Sequence, residues 1–173
     1  MPTEPEKRRP AHQRHLRAGR VSEPFATYAV TKCVDRRRPV LATDATAAII
    51  IGSLGYVRAQ QWVKLLAFCV MPDHYHALFL PLPGRSLSQV MSAIGKFTAS
   101  NINKLVSTAG QFWQEGFFDH CCRSVDDVLD RIVYIEQNPV RAGLAVNAVD
   151  WPDSSAHPSN ARLLDRQWYA ERC

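Results

Sequence analysis

The sequence predicts an α+β fold of the ferredoxin-like (RRM-like) type, in which helices pack on an antiparallel sheet. Segments with strand and helix patterns follow in the order strand, helix, two strands, helix, strand, helix, and no internal repeat is present. A short turn-like step separates the two middle strands. A strand hairpin placed between two helices is typical of this sandwich. At 173 residues, the chain has the size of one domain.

Four segments are predicted to be strands because β-branched and aromatic residues are dense in them. They are residues 25–34, 63–70, 74–80 and 112–122. A Met-Pro-Asp step at residues 71–73 separates the second strand from the third, and Pro81, Pro83 and Gly84 end the third. The second and third strands are therefore expected to form the hairpin.

Three segments carry the signals of helices. They extend from Asp44 to about Arg58, from Ser86 to about Leu105, and from Ser124 to about Asn138. Asp44 and Ser86 are the candidate N-caps of the first two helices. Residues 124–127 resemble a capping box, with Asp127 in the place of the usual Glu or Gln. After Trp151 the sequence predicts only short, irregular structure.

Basic residues are concentrated near the N-terminus. The chain carries 21 basic and 16 acidic residues, and this net charge of +5 is by itself weak evidence for a polyanionic partner. Residues 1–23 are rich in Pro, Arg and His without apolar periodicity, so they are predicted to be a basic arm without fixed structure. Residues 24–155 are predicted to form the domain, and residues 156–173 a C-terminal tail.

The basic residues of the arm and of the turn after the first strand are candidates for binding nucleic-acid phosphates. They are Lys7, Arg8, Arg9, Arg14, Arg17, Arg20, Arg36, Arg37 and Arg38. A solvated tail without a ligand explains the arm equally well, and charge alone does not separate the two hypotheses.

Cysteine usage and hydropathy predict the compartment. The number of cysteines is odd, no C-x-x-C spacing occurs, and the adjacent Cys121 and Cys122 are poorly placed to bridge each other. This pattern favours free thiols in a reducing compartment. The N-terminus has no apolar signal core, and no apolar run approaches the ~20 residues that span a bilayer. We therefore expect a cytoplasmic protein that does not enter membranes.

His74 and His76 are the strongest chemical signal in the sequence. Because side chains alternate between the faces of a strand, both imidazoles should lie on one face and Tyr75 on the other. Two neutral imidazoles side by side suit a divalent metal ion. An isolated H-x-H is more often a pair of surface histidines. Here the apolar Leu78 and Phe79 continue the two faces of the strand, which predicts that both faces are partly buried. Neither zinc-finger cysteine pairs nor an H-E-x-x-H motif is present.

The third predicted helix presents Tyr134 away from its predicted core. At roughly 100° per residue, the apolar residues form one stripe. The stripe consists of Val125, Val128, Leu129 and Ile132, with Val133 and Ile135 at its edges. Tyr134 falls nearly opposite, and Asp127, Arg131 and Asn138 share its sector. Taken alone, this pattern favours an exposed tyrosine without a function, but the motif that follows it changes the interpretation.

Four short motifs follow one another within residues 25–155. They are M-P-D-H-Y-H at 71–76, W-Q-E-G-F-F-D-H at 113–120, Y-I-E-Q-N-P-V-R-A-G-L at 134–144 and D-W-P-D-S-S at 150–155. In this order the motifs resemble the HUH-type single-tyrosine transposases, and specifically the REP-associated tyrosine transposases of bacteria. Four motifs in register are more specific than any one of them. The resemblance implies the HUH endonuclease architecture.

The resemblance also implies roles for individual residues. His74 and His76 would be the metal-binding histidines of the HUH motif, and Tyr134 would be the nucleophile. In related enzymes, a polar side chain one turn after the tyrosine completes the metal site. Asn138 holds that position here, and Gln137 is the alternative. The residue between the histidines is usually a bulky hydrophobe in the family, so the amphipathic Tyr75 is a mild departure.

The implied activity is that of a DNA transposase and endonuclease that cleaves and rejoins single-stranded DNA near hairpins (REP-type palindromes). A 5′-phosphotyrosine link and a free 3′-OH would be the products, and Mg²⁺ or Mn²⁺ the cofactor, with imidazole ligands favouring Mn²⁺. Single-stranded or hairpin DNA would be the partner of a monomer or homodimer in the bacterial nucleoid. Trp113, Phe117 and Phe118 are candidates for stacking on bases, or for the core. Trp151 is assigned to packing.

Two other classes of function remain open at this level. A non-catalytic nucleic-acid-binding regulator on the same fold would use the basic arm without needing the two histidines, Tyr134 and Asn138 together. A metal-dependent phosphodiesterase would need acidic ligands near the histidines. Asp73 and Asp119 are the only nearby candidates for such ligands.

Overall fold

The computed structural model describes residues 26–171, and four strands in it form one antiparallel sheet. The strands are β1 (Tyr28–Cys33), β2 (Val63–Met71), β3 (His74–Pro81) and β4 (Phe118–Cys121). Their order across the sheet is β2-β3-β1-β4. The α-helices of this part of the chain are α1 (Asp44–Ala59), α2 (Leu87–Leu105), α3 (Val125–Glu136), α4 (Asn138–Arg141) and α5 (Arg166–Ala170). The predicted α+β, ferredoxin-like architecture is confirmed.

Each face of the sheet packs against a different set of helices. Helices α1 and α2 cover one face, where the buried side chains include Val30, Tyr75 and Phe79. Helix α3 covers the other face, where Leu78 lies in a smaller apolar cluster. Strand β3 contributes to both layers because its side chains alternate. The histidines of β3 therefore share the α3 face, and Tyr75 lies among the core residues of the opposite face.

A bulge in β2 changes this alternation locally. The pairing register with β3 shifts between Leu65 and Ala67. As a result, Leu65 and Phe68 face α1 and α2, whereas the intervening Leu66 and Ala67 both face α3. A bulge places one extra residue in a strand and so turns the following side chains over.

The free edge of β2 is covered by the C-terminal part of the chain. The amide of Val70 donates to the carbonyl of Asp153 (2.8 Å), and the amide of Asp165 donates to the carbonyl of Leu65 (2.8 Å). The carboxylate of Asp165 also forms a bidentate ion pair with Arg58 (3.0 Å for each bond). Covering an edge removes a site for pairing with other chains. The predicted boundary at residue 155 remains a prediction, although residues beyond it pack on β2.

The prediction of a strand over residues 112–122 is wrong in its first half. Only Phe118–Cys121 pair with β1 in a continuous ladder. The ammonium group of the buried Lys32 donates to the carbonyls of Gln114 (2.7 Å) and Gly116, and Gly116 has a positive φ of 73°. The chain therefore turns at Gly116. Before the turn, the segment keeps only an isolated antiparallel bridge between Trp113 and Val34, next to the end of β1.

The third predicted helix is divided into two. Helix α3 ends at Glu136, and α4 begins at Asn138. Pro139 has no amide hydrogen and cannot continue the hydrogen-bond ladder of α3. The carbonyl of Ile135 instead accepts a bond from the side-chain amide of Asn138 (3.3 Å).

Two smaller predictions about helix faces and caps are corrected. The N-cap of α1 is Thr43, whose hydroxyl accepts from the amide of Thr46 (3.3 Å), so Asp44 is the first helical residue. The predicted core stripe of α3 is also partly wrong, because three of its residues are exposed. They are Val125 (42%), Leu129 (52%) and Val133 (59%). The helix is rotated so that Val128 and Ile135 are buried and the side of Tyr134 borders the sheet.

None of the helices in residues 26–171 combines the length and the apolar character needed to cross a membrane.

Candidate active site

His74 and His76 extend from β3 towards one point on the α3 face. Their Nε2 atoms lie 3.1 Å apart, and the two rings are perpendicular. The Nδ1 atom of His74 is bonded to the carboxylate of Asp73 (2.5 Å), and the Nδ1 atom of His76 to the hydroxyl of Thr31 (2.8 Å). Partners of this kind hold the rings of metal-binding histidines and leave the other nitrogen for the ion.

Burial favours the neutral form of both imidazoles. Desolvation lowers the pKa of His74, and it lowers the pKa of His76 to about 3 with a further contribution from the neighbouring His74. A neutral imidazole retains a lone pair for a metal ion. Because such metal–nitrogen bonds are about 2.1 Å long, two nitrogens bound at a right angle to one ion are about 3 Å apart. The observed spacing of the Nε2 atoms fits this arrangement.

Asn138 brings its side-chain amide next to His76. The amide nitrogen donates to the carbonyl of Tyr134 (2.7 Å) and to the carbonyl of Ile135 (3.3 Å). Because the donor end of the amide is used by the helix, the acceptor oxygen faces the histidines. Gln137, the alternative third ligand, is exposed and does not line the cleft. The division between α3 and α4 is what gives Asn138 this orientation.

Tyr134 lies across the cleft from the histidines. Its ring centroid is 6.0 Å from that of His76, and the side chain is 39% exposed. The guanidinium carbon of Arg141 lies 4.9 Å from the centroid of the Tyr134 ring, and that of Arg131 lies 6.0 Å from it. The tyrosine thus stands between the two imidazoles and two positive charges, in an arrangement suited to a phosphate group.

Arg37 borders the same cleft and is linked to His74 through Asp73. Its Nε atom lies 2.9 Å from the carboxylate of Asp73, and its Nη1 atom lies 2.9 Å from the sulfur of Cys33. Arg36 and Arg37 have positive φ angles of 56° and 54°, a region that residues other than glycine seldom adopt. Such backbone strain often accompanies functional sites. The carboxylate of Asp73 thus bonds to both Arg37 and His74, and these contacts place it to orient the His74 ring.

The other candidates for binding phosphate are an exposed arginine, an arginine that supports the turn, and the basic residues of the N-terminal arm. The side chain of Arg36 is 87% exposed. Arg38 donates to the carbonyls of Asp35 (3.2 Å) and Gln111 (3.3 Å), so it supports the turn. The candidates of the N-terminal arm lie outside the described residues. They are Lys7, Arg8, Arg9, Arg14, Arg17 and Arg20.

The aromatic candidates for base stacking separate into core and surface. Trp113 is buried, and its indole N–H donates to the hydroxyl of Thr98 (3.0 Å). Phe117 packs against the main core, whereas Phe118 is 53% exposed on the site face. The indole N–H of Trp151 donates to a carbonyl of β2 (2.9 Å), in agreement with its predicted packing role.

Sequence reasoning missed a second cluster of polar residues. His120, Cys122 and Asp127 place their ligand atoms within 4.8 Å of one another. The carboxylate of Asp127 is bonded to His120 (2.9 Å), to Arg131 (3.3 Å) and to the amide of Arg123 (3.1 Å). The bond with His120 lowers the pKa of Asp127. Because of these bonds and the adjacent guanidinium, the Asp127 carboxylate suits capping of α3 better than binding a cation. The capping-box-like pattern at residues 124–127 was the signal in the sequence that could have indicated this role.

The fold and this cleft define a class of protein that the comparison with known families also identifies. Residues 25–138 match the family model described as IS200-like transposase. This match covers more than half of the chain, and the chain therefore belongs to the IS200-like transposase family. The family relationship agrees with a requirement for a divalent metal ion.

Within this family, the chain is similar to REP-associated tyrosine transposases, as its motifs predict. It is 31% identical to the REP-associated tyrosine transposase of Escherichia coli over 110 residues, which cover 62% of this chain and 63% of that protein. A Haemophilus influenzae protein provisionally given the same name is 29% identical over 117 residues, 61% of this chain and 66% of its own length. The chain thus spans slightly less than two thirds of these relatives.

A solved structure shares the fold. It is a REP-associated tyrosine transposase bound to a REP hairpin, and it matches with a TM-score of 0.68 and 25% sequence identity. The match covers 84% of this chain and 86% of that chain, so the common fold includes nearly the whole of the described region.

Proposed function

We propose that this protein is a transposase that cleaves and rejoins single-stranded DNA beside hairpins through a 5′-phosphotyrosine intermediate. The observation that carries the proposal is the convergence of His74, His76, Asn138 and Tyr134 on one cleft. Two neutral imidazoles with facing Nε2 atoms serve no evident packing purpose, and a half-exposed tyrosine lies next to them. A binding module would not need this combination.

The donor set of the cleft fits a divalent metal ion. His74, His76 and Asn138 would hold Mg²⁺ or Mn²⁺, and the nitrogen ligands favour Mn²⁺. Held by these residues, the ion would supply a positive charge that polarises the scissile phosphate and offsets the negative charge developing on it. Asp73 and Thr31 hold the two rings in the orientation that this requires.

Tyr134 would be the nucleophile. Its phenolate oxygen forms a bond to phosphorus while the bond from phosphorus to the 3′ oxygen breaks. The leaving oxygen keeps the electron pair and takes up a proton to give a free 3′-OH. Arg141 and Arg131 beside the ring stabilise the negative charges of the phenolate and the phosphate. Attack of another 3′-OH on the phosphotyrosine bond reverses the step and joins the strands.

The proposed DNA partner is a single strand that carries a hairpin. This proposal is supported by the structural relative, which is bound to a REP hairpin. The basic arm at residues 1–23 would add phosphate contacts, which strengthen binding without reading sequence. Arg37 would approach the phosphates at the rim of the cleft.

The test is to incubate the protein with hairpin-bearing single-stranded DNA and Mn²⁺ and to look for a covalent adduct by denaturing electrophoresis. Peptide mass mapping should place the nucleotide on Tyr134. Tyr134→Phe should abolish the adduct and keep hairpin binding, whereas Tyr56→Phe, a change at an exposed tyrosine of α1, should alter neither. An adduct on another residue, or one formed by Tyr134→Phe, would refute the mechanism.

The same experiment tests the alternative function. A non-catalytic regulator on this fold would bind the hairpin with similar affinity in the wild type and in Tyr134→Phe. It would form no adduct under any metal condition, so binding without cleavage would favour this alternative.

A further inference from the structure

We propose that the cavity between β4 and α3 is a subsite for one nucleotide next to the scissile phosphate, in which Phe118 stacks on the base and Arg131 holds a phosphate. The cavity has a volume of about 190 Å³. Its walls include His76, Phe118, His120, Arg131 and Tyr134. This inference rests on the proposed function, because it assigns a place to the DNA that Tyr134 would cleave.

The pairing register connects the subsite to the metal-binding cleft. Thr31 pairs with His76 on one side and with Phe118 on the other. These three side chains therefore form one row across the α3 face, and Phe118 lies two strands, or about 10 Å, from His76. Tyr134 lines both the cleft and the subsite. A nucleotide attached to a phosphate at Tyr134 thus has the subsite within reach.

Phe118 has the properties of a stacking platform. It is 53% exposed and belongs to neither apolar cluster, although its neighbour Phe117 packs into the core. Its exposed ring borders the cavity and offers a flat apolar face to a base. Bases of any sequence stack on such rings, and each stack contributes measurably to binding of single strands.

Arg131 is held in place by the cluster at the start of α3. Its Nε atom is bonded to the carboxylate of Asp127 (3.3 Å), which is also bonded to the imidazole of His120 (2.9 Å). This leaves the two terminal nitrogens of the guanidinium for an oxygen pair of a phosphate. Asp119 also lines the cavity, so the positive charge of Arg131 is what makes the cavity attractive to a phosphate.

The subsite is tested by a coupling experiment on DNA that the wild type has cleaved and whose cleavage position is mapped. An abasic sugar is placed in turn at the nucleotide on either side of the cleaved bond. At one of the two positions, the loss of the base should slow adduct formation by the wild type about tenfold. Phe118→Ala should slow the reaction of intact DNA by a similar factor, and the abasic sugar should then add little.

Two controls make the outcome decisive. Phe97→Ala alters a phenylalanine of similar exposure (55%) on α2, on the opposite side of the sheet, and should retain the full effect of the abasic sugar. Phe118→Leu keeps an apolar side chain without a ring, so it should behave like Phe118→Ala if stacking is the cause. Independent effects of Phe118→Ala and the abasic sugar would overturn the subsite alone. Failure of the wild type to form an adduct would overturn the proposed function and the subsite with it.

Discussion

The two faces of the sheet share the same strands but differ in what covers them. Towards α1 and α2, Phe68, Tyr75 and Phe79 are completely buried. Towards α3, the apolar cluster extends along β3 only to Leu78, and the next side chains on that face are His76 and His74. One face is thus a continuous hydrophobic core, and the other changes from a core to a cleft within a single strand.

The difference shows how alternation along a strand separates stability from chemistry. Tyr75 lies between the two histidines in sequence, but its ring packs against Trp113 at a centroid distance of 5.6 Å. The buried neighbour fixes the backbone on which the histidines stand. Substitutions on the two faces should therefore have different consequences. Those at the histidines of the α3 face should abolish DNA cleavage, and those on the face towards α1 and α2 should change the free energy of unfolding.

The largest effect is expected at the histidines. His74→Ala or His76→Ala should reduce DNA cleavage to background, because each removes one of the proposed metal ligands. Hairpin binding should be largely retained, since the imidazoles act on the scissile phosphate. Gel assays of cleavage and of binding, with calorimetry of Mn²⁺ binding, provide the measurements.

The control is His157→Ala, which changes a partly exposed histidine in the C-terminal region, bonded to Ser159. It should leave cleavage and Mn²⁺ affinity unchanged. Full cleavage by either of the other two variants, or in an excess of chelator, would show that the metal site is assigned incorrectly.

A smaller effect is expected from the partner of His74. Asp73→Asn keeps the size of the side chain but removes the charge that orients the imidazole and binds Arg37. Changes to such supporting residues typically lower metal affinity about 10- to 100-fold. Mn²⁺ titration followed by calorimetry measures this loss, and Asp150→Asn, at an aspartate that does not line the cleft, is the matched control. Unchanged affinity in Asp73→Asn would mean that His74 needs no orienting carboxylate.

The third ligand can be distinguished by two neighbouring variants. Asn138→Ala should lower Mn²⁺ affinity less than the loss of a histidine, because a water molecule can replace one amide oxygen. Gln137→Ala should have no effect, since this residue is exposed and lies outside the cleft. The reverse result, a loss in Gln137→Ala alone, would transfer the role to Gln137.

The parts of the structure that depend on local signals could be predicted from the sequence. Strand β3 begins at the predicted His74 and ends one residue after the predicted Leu80. The capping box of α2 is formed by Ser86 and Gln89, whose side chains and backbone amides bond to each other. These features are set by residues only a few positions apart, so alternation and cap chemistry are sufficient to find them.

Features that depend on distant partners were not predictable in this way. The loss of the first half of the fourth strand depends on Lys32, which lies 82 residues before its acceptor Gln114. The partner of His76 is Thr31, 45 residues away on another strand. The rotation of α3 is set by its contacts with the sheet. The periodicity of the helix sequence carries no information about those contacts. The sequence therefore indicated the chemical groups of the site but not the residues that orient them.

The smallest expected effect concerns Tyr75 and tests the other face directly. Its hydroxyl is buried without a hydrogen-bond partner among the described residues, and desolvation strongly raises the pKa of this group. An unsatisfied buried polar group costs about 1–3 kcal/mol, so Tyr75→Phe should increase the free energy of unfolding by about 1 kcal/mol. Denaturation in urea measures the change, and adduct formation should stay at the wild-type level.

Tyr134→Phe is the matched comparison for Tyr75→Phe, because the same atom is removed from the opposite face of the sheet. The hydroxyl of Tyr134 belongs to a side chain that is 39% exposed, so its removal should hardly change the free energy of unfolding while it abolishes the adduct. A loss of stability in Tyr75→Phe would mean that the hydroxyl has a partner in solution, such as a buried water molecule. A loss of the adduct in a stably folded Tyr75→Phe would contradict the separation of the two faces, because the residue between the histidines would then take part in the chemistry.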